Sequence, residues 1–239
     1  MSHSPIDYDF PPLDAASPEG LLAIGGDLCP DRILSAYRKG IFPWFSGDQP
    51  ILWWSPNPRA VLLPSKIRIS RSLKKNIRNR GFRITTDQAF VDVVKECAKD
   101  REQQKGTWIT REMRDAYTAL HSRGHAHSVE TWQNGELVGG LYGIAIGKAF
   151  FGESMFSEVS NASKVALVHL VARLKSDGFI LLDTQFNTEH LMQFGAIEID
   201  RKEYQTLLHA ALSMQGHFSS SSEGFDWIDN FLQSSTQTS

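Results

Sequence analysis

Apolar residues recur at helical spacing in several stretches, each bounded by residues that start or stop helices. Pro30 stands at a first helical position, Ile33, Leu34 and Tyr37 follow on one face, and Gly40 supplies the stop, which predicts a helix over 31–39. Thr85 and Gln88 have capping-box spacing ahead of Phe90, Val94 and Cys97, while Thr110 is placed to cap a helix that turns Met113, Ala116, Tyr117 and Leu120 inward as far as Gly124. The period then changes to two. The segments His127–Trp132 and Leu137–Ile146 flank Asn134-Gly135, a pair that tolerates the positive φ angles of a type I′ turn and so predicts a hairpin. Gly147-Lys148 offers a second turn before Ala149–Phe156. Asn161 opens a helix carrying Val165, Val168, Leu170, Val171 and Leu174, closed near Gly178, and Phe179–Leu182 reads as a buried strand. Further helix, strand and helix patterns run to about residue 212.

Three meandering strands, a helix, a buried strand and more helices predict an α/β (α+β) fold, an antiparallel-rich sheet covered by helices. The first 20 residues, with Pro5, Pro11, Pro12 and Pro18, read as an arm. Prolines 43, 56 and 58 exclude regular helix between Gly40 and Ala60. Beyond about residue 213 the pattern weakens. Ser219–Ser222 and the stretch from Ser234 read as disordered, and Phe225, Ile228, Phe231 and Leu232 could dock as a helical turn or two.

The chain has 239 residues and only two cysteines, Cys29 and Cys97, so the reading is a reduced, cytoplasmic protein with neither a disulfide framework nor a cysteine-held zinc. No run approaches the roughly 18 apolar residues of a membrane span, and the first ten residues lack the basic start and apolar run of a signal peptide. A net charge of -2 conceals a strong asymmetry. Between Gln49 and Thr86 stand nine basic residues (Arg59, Lys66, Arg68, Arg71, Lys74, Lys75, Arg78, Arg80 and Arg83) and no acidic one, which leaves 16 basic against 27 acidic residues, or -11, elsewhere. Such a cationic face on an acidic protein steers a polyanion to one place. With no base-reading motif beside it, the run from Lys66 to Arg83 is expected to meet phosphates, the alternative being an ordinary solvated surface.

The sequence lacks a P-loop, a G-x-G-x-x-G, an H-E-x-x-H and a G-x-S-x-G. His125 and His127 have no third ligand nearby, and Ser154 lacks a nucleophile-elbow context, so neither a metal site nor a serine nucleophile is expected. Asp183 sits where the apolar strand runs out, and Gln185, two residues on, shares its face. There it could polarise a substrate amine or serve as a structural cap, and both readings stand. Glu153 lies among apolar residues and needs a partner if buried. Trp44 and Trp108 are base-stacking platforms or core packing.

Taken together, Gly25-Gly-Asp-Leu28, Tyr37-Arg-Lys-Gly-Ile-Phe-Pro-Trp-Phe-Ser46, Leu52-Trp-Trp-Ser-Pro-Asn-Pro-Arg-Ala60, Gly106-Thr-Trp-Ile-Thr110, Gly124-His-Ala-His-Ser128, Gly152-Glu-Ser-Met-Phe-Ser157, Asn161-Ala-Ser-Lys164 and Leu182-Asp-Thr-Gln185 resemble the bacterial leucyl/phenylalanyl-tRNA protein transferase family, in its motif order, from about residue 20 to 212. The resemblance implies a small N-terminal domain, here 1–62, and a GNAT-like (acyl-CoA N-acyltransferase-like) domain, here 63–239 with a tail after about 213. It implies an aminoacyltransferase without metal or coenzyme, moving leucine or phenylalanine, and less well methionine, from tRNA to an N-terminal arginine or lysine and so marking proteins for N-end-rule degradation. It places the tRNA's terminal adenosine at Trp44 and Trp108, the reacting centre at Asp183 and Gln185, and the aminoacyl group at Glu153. The apolar side-chain pocket maps to Leu141, Phe150, Met155, Leu167, Leu170, Leu174 and Leu182, with Leu170 and Leu174 standing where some members carry phenylalanine. Within the basic run, Arg71, Lys74 and Lys75 are the expected acceptor-stem contacts.

An aminoacyl ester is already activated and its attacker is an amine of ordinary pKa near 7.7 to 8, so this chemistry needs no metal or thiolate. Asp183, oriented by Gln185, is the expected partner of that amine. Two rivals differ in class. An acetyl-CoA-dependent N-acetyltransferase would need the Q/R-x-x-G-x-G/A pyrophosphate loop, which is missing, and a non-enzymatic RNA binder would leave the Asp183–Gln185 pair without a task.

Overall fold

The computed structural model describes residues 8–79, 81–99, 108–219, 228 and 231–233. In chain order its elements are β1 (Leu21–Ile24), α1 (Pro30–Arg38), β2 (Phe42–Pro43), β3 (Leu52–Trp54), β4 (Arg59–Leu62), α2 (Arg71–Asn79), β5 (Arg83–Thr86), α3 (Phe90–Ala98), α4 (Arg111–Ser122), β6 (Ala126–Gln133), β7 (Glu136–Ile146), β8 (Ala149–Ser157), α5 (Ala162–Ser176), β9 (Leu181–Gln185), α6 (Glu189–Met192), β10 (Ile197–Ile199) and α7 (Arg201–Leu212). Local chemistry explains most boundaries. Pro30 opens α1, Gly40 follows it at φ +80°, and the Thr110 hydroxyl accepts from the Met113 N–H at the start of α4. Asn134 and Gly135 have φ +53° and +85°, the expected turn between β6 and β7.

The strands form two sheets. β1, β3 and β2 make a small antiparallel sheet, and the larger sheet runs β10-β4-β9-β8-β7-β6-β5 with β8 and β9 as its parallel pair. The long helix α5 makes the crossover that a parallel pair requires. β4 follows the small sheet in sequence but lies inside the large one, between β10 and β9. Alternate residues of the central strands feed two cores. Val61, Ile144, Phe151 and Leu181 pack with α1, α3, α4 and α7, whereas Leu62, Leu141, Phe150 and Leu182 pack with α5. No helix among the described residues is long and apolar enough to cross a membrane.

Two expectations are corrected. Thr85 does not cap α3; it pairs with Glu130 across β5 and β6 and donates its hydroxyl to that carboxylate, and α3 starts after Ala89 without a side-chain cap. A β-branched residue beside a buried carboxylate is worth more to the sheet than to a helix end. The strand read at 179–182 runs instead from Leu181 to Gln185, because Phe179 closes α5 by donating to the Leu174 carbonyl. Asp183 therefore sits inside a strand. In the tail, Phe231 and Leu232 are buried against the core that includes Leu73 of α2, while 220–227 and 234–239 lie outside the described residues, as do Phe225 and Arg80.

Candidate active site

Two irregularities in neighbouring strands create the site. On β8, Ser154 pairs with Tyr142 and Gly152 with Gly143, so Glu153 is an extra residue with no partner opposite. On β9, Asp183 pairs with Val61 and Gln185 with Ala60, which leaves Thr184 extra, and Gln185 adopts φ +59°. Each is a β-bulge, and a bulge re-aims side chains that strict alternation would send elsewhere. Gly143 makes the first one possible. A Cβ there would lie 2.2 Å from the Phe151 carbonyl oxygen and 2.4 Å from the Phe150 ring.

The bulges open onto a cavity of about 540 Å³. Its floor is apolar, with Leu141, Met155, Leu167, Leu170 and Leu182. Phe42, Trp44, Trp108 and Phe186 line it as aromatic walls, and Glu153, Thr184, Gln185, Thr188 and His190 add polar groups. The structure thus brings together nine of the expected residues but not all. Phe150 and Leu174 are fully buried in the α5-side core behind the floor and do not line the cavity.

Trp44 is half exposed, with its ring 5.7 Å from Trp54 and 5.6 Å from Phe186. The Trp54 indole N–H donates to the Trp44 carbonyl at 2.6 Å, fixing the backbone that carries this ring. An exposed, anchored indole beside an apolar cavity is suited to stack on a planar ring.

Among the described residues, Glu153 is the one acidic residue that lines the cavity. Tyr37 of α1 donates to its Oε1 at 2.6 Å, Tyr117 of α4 donates to its Oε2 at 2.8 Å, and the two hydroxyls lie 2.9 Å apart. Burial pushes the Glu153 carboxyl up to about 8, despite the opposing effect of both tyrosines. The sequence placed Tyr37 and Tyr117 on inward helix faces, where they read as core. That both point their hydroxyls at one carboxyl follows only from the tertiary fold.

Asp183 does not face the cavity as expected. It is fully buried, and four donors occupy its oxygens: Arg59 Nε at 2.9 Å and Arg59 Nη2 at 2.8 Å, Tyr204 Oη at 2.6 Å, and the Gln185 backbone N–H at 2.9 Å. Arg59 is 1% exposed and lies between the Phe42 and Tyr204 rings, 4.6 and 4.8 Å from their centroids. It therefore leaves the cationic face to which the charge count assigned it. A carboxylate offers about four lone-pair sites, so this one is full. Its evident effect is to pin the bulge, because the Gln185 N–H it accepts holds that residue in its left-handed conformation while Gln185 itself lines the cavity.

On the outer face of α2, Arg71, Lys74, Lys75, Arg78 and Asn79 surround a recess of about 380 Å³. Arg71 and Lys75 are exposed, whereas Lys74 is buried and its ammonium donates to the Leu232 carbonyl at 2.8 Å. His127 bonds Asp87 at 2.8 Å, and the described residues contain no cluster of three or more His, Cys, Asp or Glu able to hold a metal.

The chain matches the family described as leucyl/phenylalanyl-tRNA protein transferase over residues 61–209, and that family's N-terminal domain over 26–57. It is 59% identical over 204 residues to the leucyl/phenylalanyl-tRNA–protein transferase of Nitrosomonas eutropha, covering 84% of this chain and 87% of that protein. It is 56% identical over 212 residues to the protein of the same name from Nitrosomonas europaea, covering 88% and 90%, and 54% identical over 214 residues to that from Saccharophagus degradans, covering 89% and 88%. With both parts matched in order and most of each relative's length covered, the chain belongs to the leucyl/phenylalanyl-tRNA protein transferase family.

Proposed function

We propose that this protein transfers leucine or phenylalanine, and less well methionine, from its tRNA ester to the N-terminal arginine or lysine of a protein, marking the acceptor for degradation by the N-end rule. The observation that carries the reading is one cavity in which an apolar floor, two tryptophans and the Gln185 amide meet. Aminoacyl-tRNA as donor places the reaction in the cytoplasm.

The floor takes the amino acid's side chain, and Trp44 and Trp108 take the terminal adenosine by stacking. Glu153 receives the donor's α-ammonium. A carboxyl neutral at rest ionises when a cation arrives, so the site pairs its charge only when occupied. The Gln185 side-chain NH₂ has no partner among the described residues, and it donates to the ester carbonyl oxygen as that oxygen gains charge. Asp183 acts at one remove, holding Gln185 in place. The acceptor's neutral α-amine attacks the ester carbonyl carbon; the new C–N bond replaces the bond to the ribose oxygen, and the proton lost by the amine balances the one gained by that oxygen. Positioning supplies most of the rate. The exposed cations of α2, Arg71 and Lys75, meet acceptor-stem phosphates, and Lys74 lends its charge from beneath.

Incubating the protein with labelled leucyl-tRNA and peptides beginning with arginine or alanine tests this directly. Label is expected on the arginine peptide alone, without added coenzyme. Label that stays on a bound tRNA would refute transfer and favour RNA binding.

A further inference from the structure

Among the described residues, four side-chain polar atoms of cavity-lining residues have no hydrogen-bond partner: Tyr142 Oη of β7 and, close together along the chain, Thr184 Oγ1, Gln185 Nε2 and His190 Nε2. Gln185 is 9% exposed, so water does not readily take the place of a partner there. Folded proteins seldom leave buried polar groups unpaired, and the three carried by the segment from β9 to α6 mark a surface that a ligand completes.

Their order along the chain indicates which part of the ligand they meet. Leu182 belongs to the apolar floor, and Phe186 lies against Trp44, 5.6 Å between ring centroids. Thr184 and Gln185 fall between these two points, brought to the cavity together by the β9 bulge, and His190 follows in α6. An aminoacyl nucleoside bound with its side chain on the floor and its base at Trp44 has its ester and ribose in that interval. The ester carbonyl takes Gln185, which leaves the Thr184 hydroxyl and the His190 ring beside the sugar. Burial, and then the charge of Lys164, hold the His190 ring below the ordinary histidine value. An uncharged imidazole has one donor and one acceptor nitrogen, which suits a hydroxyl better than a phosphate.

We infer that Thr184 and His190 bind the 2′-hydroxyl of the donor's terminal nucleoside, so that the site selects ribose over 2′-deoxyribose; the inference rests on the reading of the donor as an aminoacyl ester of RNA. The 2′-hydroxyl is the group by which a protein distinguishes RNA from DNA at a single nucleotide.

The test uses the full chain, an arginine peptide, and phenylalanine esterified to the 3′-oxygen of adenosine or of 2′-deoxyadenosine. The native protein is expected to favour the ribose donor in kcat/KM by about tenfold. Thr184→Val and His190→Phe, each keeping side-chain bulk, should slow the ribose donor by about threefold to tenfold and leave the deoxy donor unchanged, while Thr184→Ser keeps the preference. Melting temperatures confirm that each variant is folded. Equal use of the two donors by the native protein overturns the inference even if no variant folds. So does a native donor ratio in both Thr184→Val and His190→Phe, or an equal loss on both donors. If the native protein uses neither of these donors nor leucyl-tRNA, the transferase reading itself has failed; if it uses all of them without preference, only the ribose contact has failed.

Discussion

Replacing Glu153 by glutamine tests the electrostatics of the cavity without any substrate. In the folded protein this carboxyl accepts from Tyr37 and Tyr117 and is pushed up to about 8, chiefly by burial. In the unfolded chain it returns to the ordinary 4.5. The folded value is the higher, so the contribution to stability is fully present below about pH 4.5 and is lost as the pH rises through 8, where the folded state must carry a buried charge. At about 1.36 kcal/mol per pH unit the whole swing is on the order of 5 kcal/mol, and between about pH 5 and pH 7.5 it amounts to about 3 kcal/mol. Glutamine does not titrate, so this part of the pH dependence disappears in Glu153→Gln. Every other titrating group is common to both proteins. Urea unfolding at several pH values reads the difference, because a stability change with unchanged slope moves the midpoint; at about 3 kcal/mol per molar urea the two proteins should diverge by about 1 M over that range. The variant gains relative to the native protein as the pH rises. Parallel midpoint profiles would show that Glu153 titrates as an ordinary exposed carboxyl, and would remove the account of how it receives an ammonium.

Four further outcomes are expected. Asp183→Ala leaves the Arg59 guanidinium buried without its carboxylate, and should cost about 3–5 kcal/mol in urea unfolding as well as activity; activity lost at native stability would mean that Asp183 acts on substrate itself. Trp44→Ala and Trp108→Ala should each raise the KM for aminoacyl-adenosine donors by the equivalent of about 1–3 kcal/mol, and an unchanged KM would exclude stacking. Leu170→Phe narrows the floor and should shift the leucine to phenylalanine ratio of kcat/KM toward leucine by about 1–3 kcal/mol, which competition between the two aminoacyl-tRNAs measures. Removing the charges of Arg71, Lys74 and Lys75 together should flatten the salt dependence of tRNA binding. Lys74 alone, tied to Leu232, should contribute less to that slope than Arg71, and equal slopes would mean that it reorients toward RNA.

The sequence made most elements legible because their signals are local. The Pro30 start, the Thr110 cap and the Asn134-Gly135 turn need only neighbouring residues, and the structure has all three. The apolar floor was nameable in part by resemblance, but which of its members reach the cavity depends on the packing of α5, and Phe150 and Leu174 stay behind it. The electrostatic arrangement was hidden for a physical reason. Arg59 looks like any member of a basic run until a strand 124 residues away brings Asp183 to it, and Tyr37 and Tyr117 look like core until a bulge turns Glu153 toward them. A bulge adds one residue without any side-chain type of its own, so the pattern of alternation conceals it. Thr184 escaped notice for the same reason, and His190 because the approach of α6 to the cavity follows only from the tertiary fold.

The central claim is that one cavity reads the side chain of an RNA-esterified amino acid and passes it to a basic N-terminus. Mass spectrometry of an arginine-led peptide after incubation with leucyl-, phenylalanyl- or aspartyl-tRNA measures it most directly. The account predicts a gain of one leucine or one phenylalanine residue at the peptide's N-terminus and nothing from aspartyl-tRNA, whose charged side chain the floor of Leu141, Met155, Leu167, Leu170 and Leu182 excludes. An unmodified peptide in all three reactions, or aspartate transferred as readily as leucine, would contradict it.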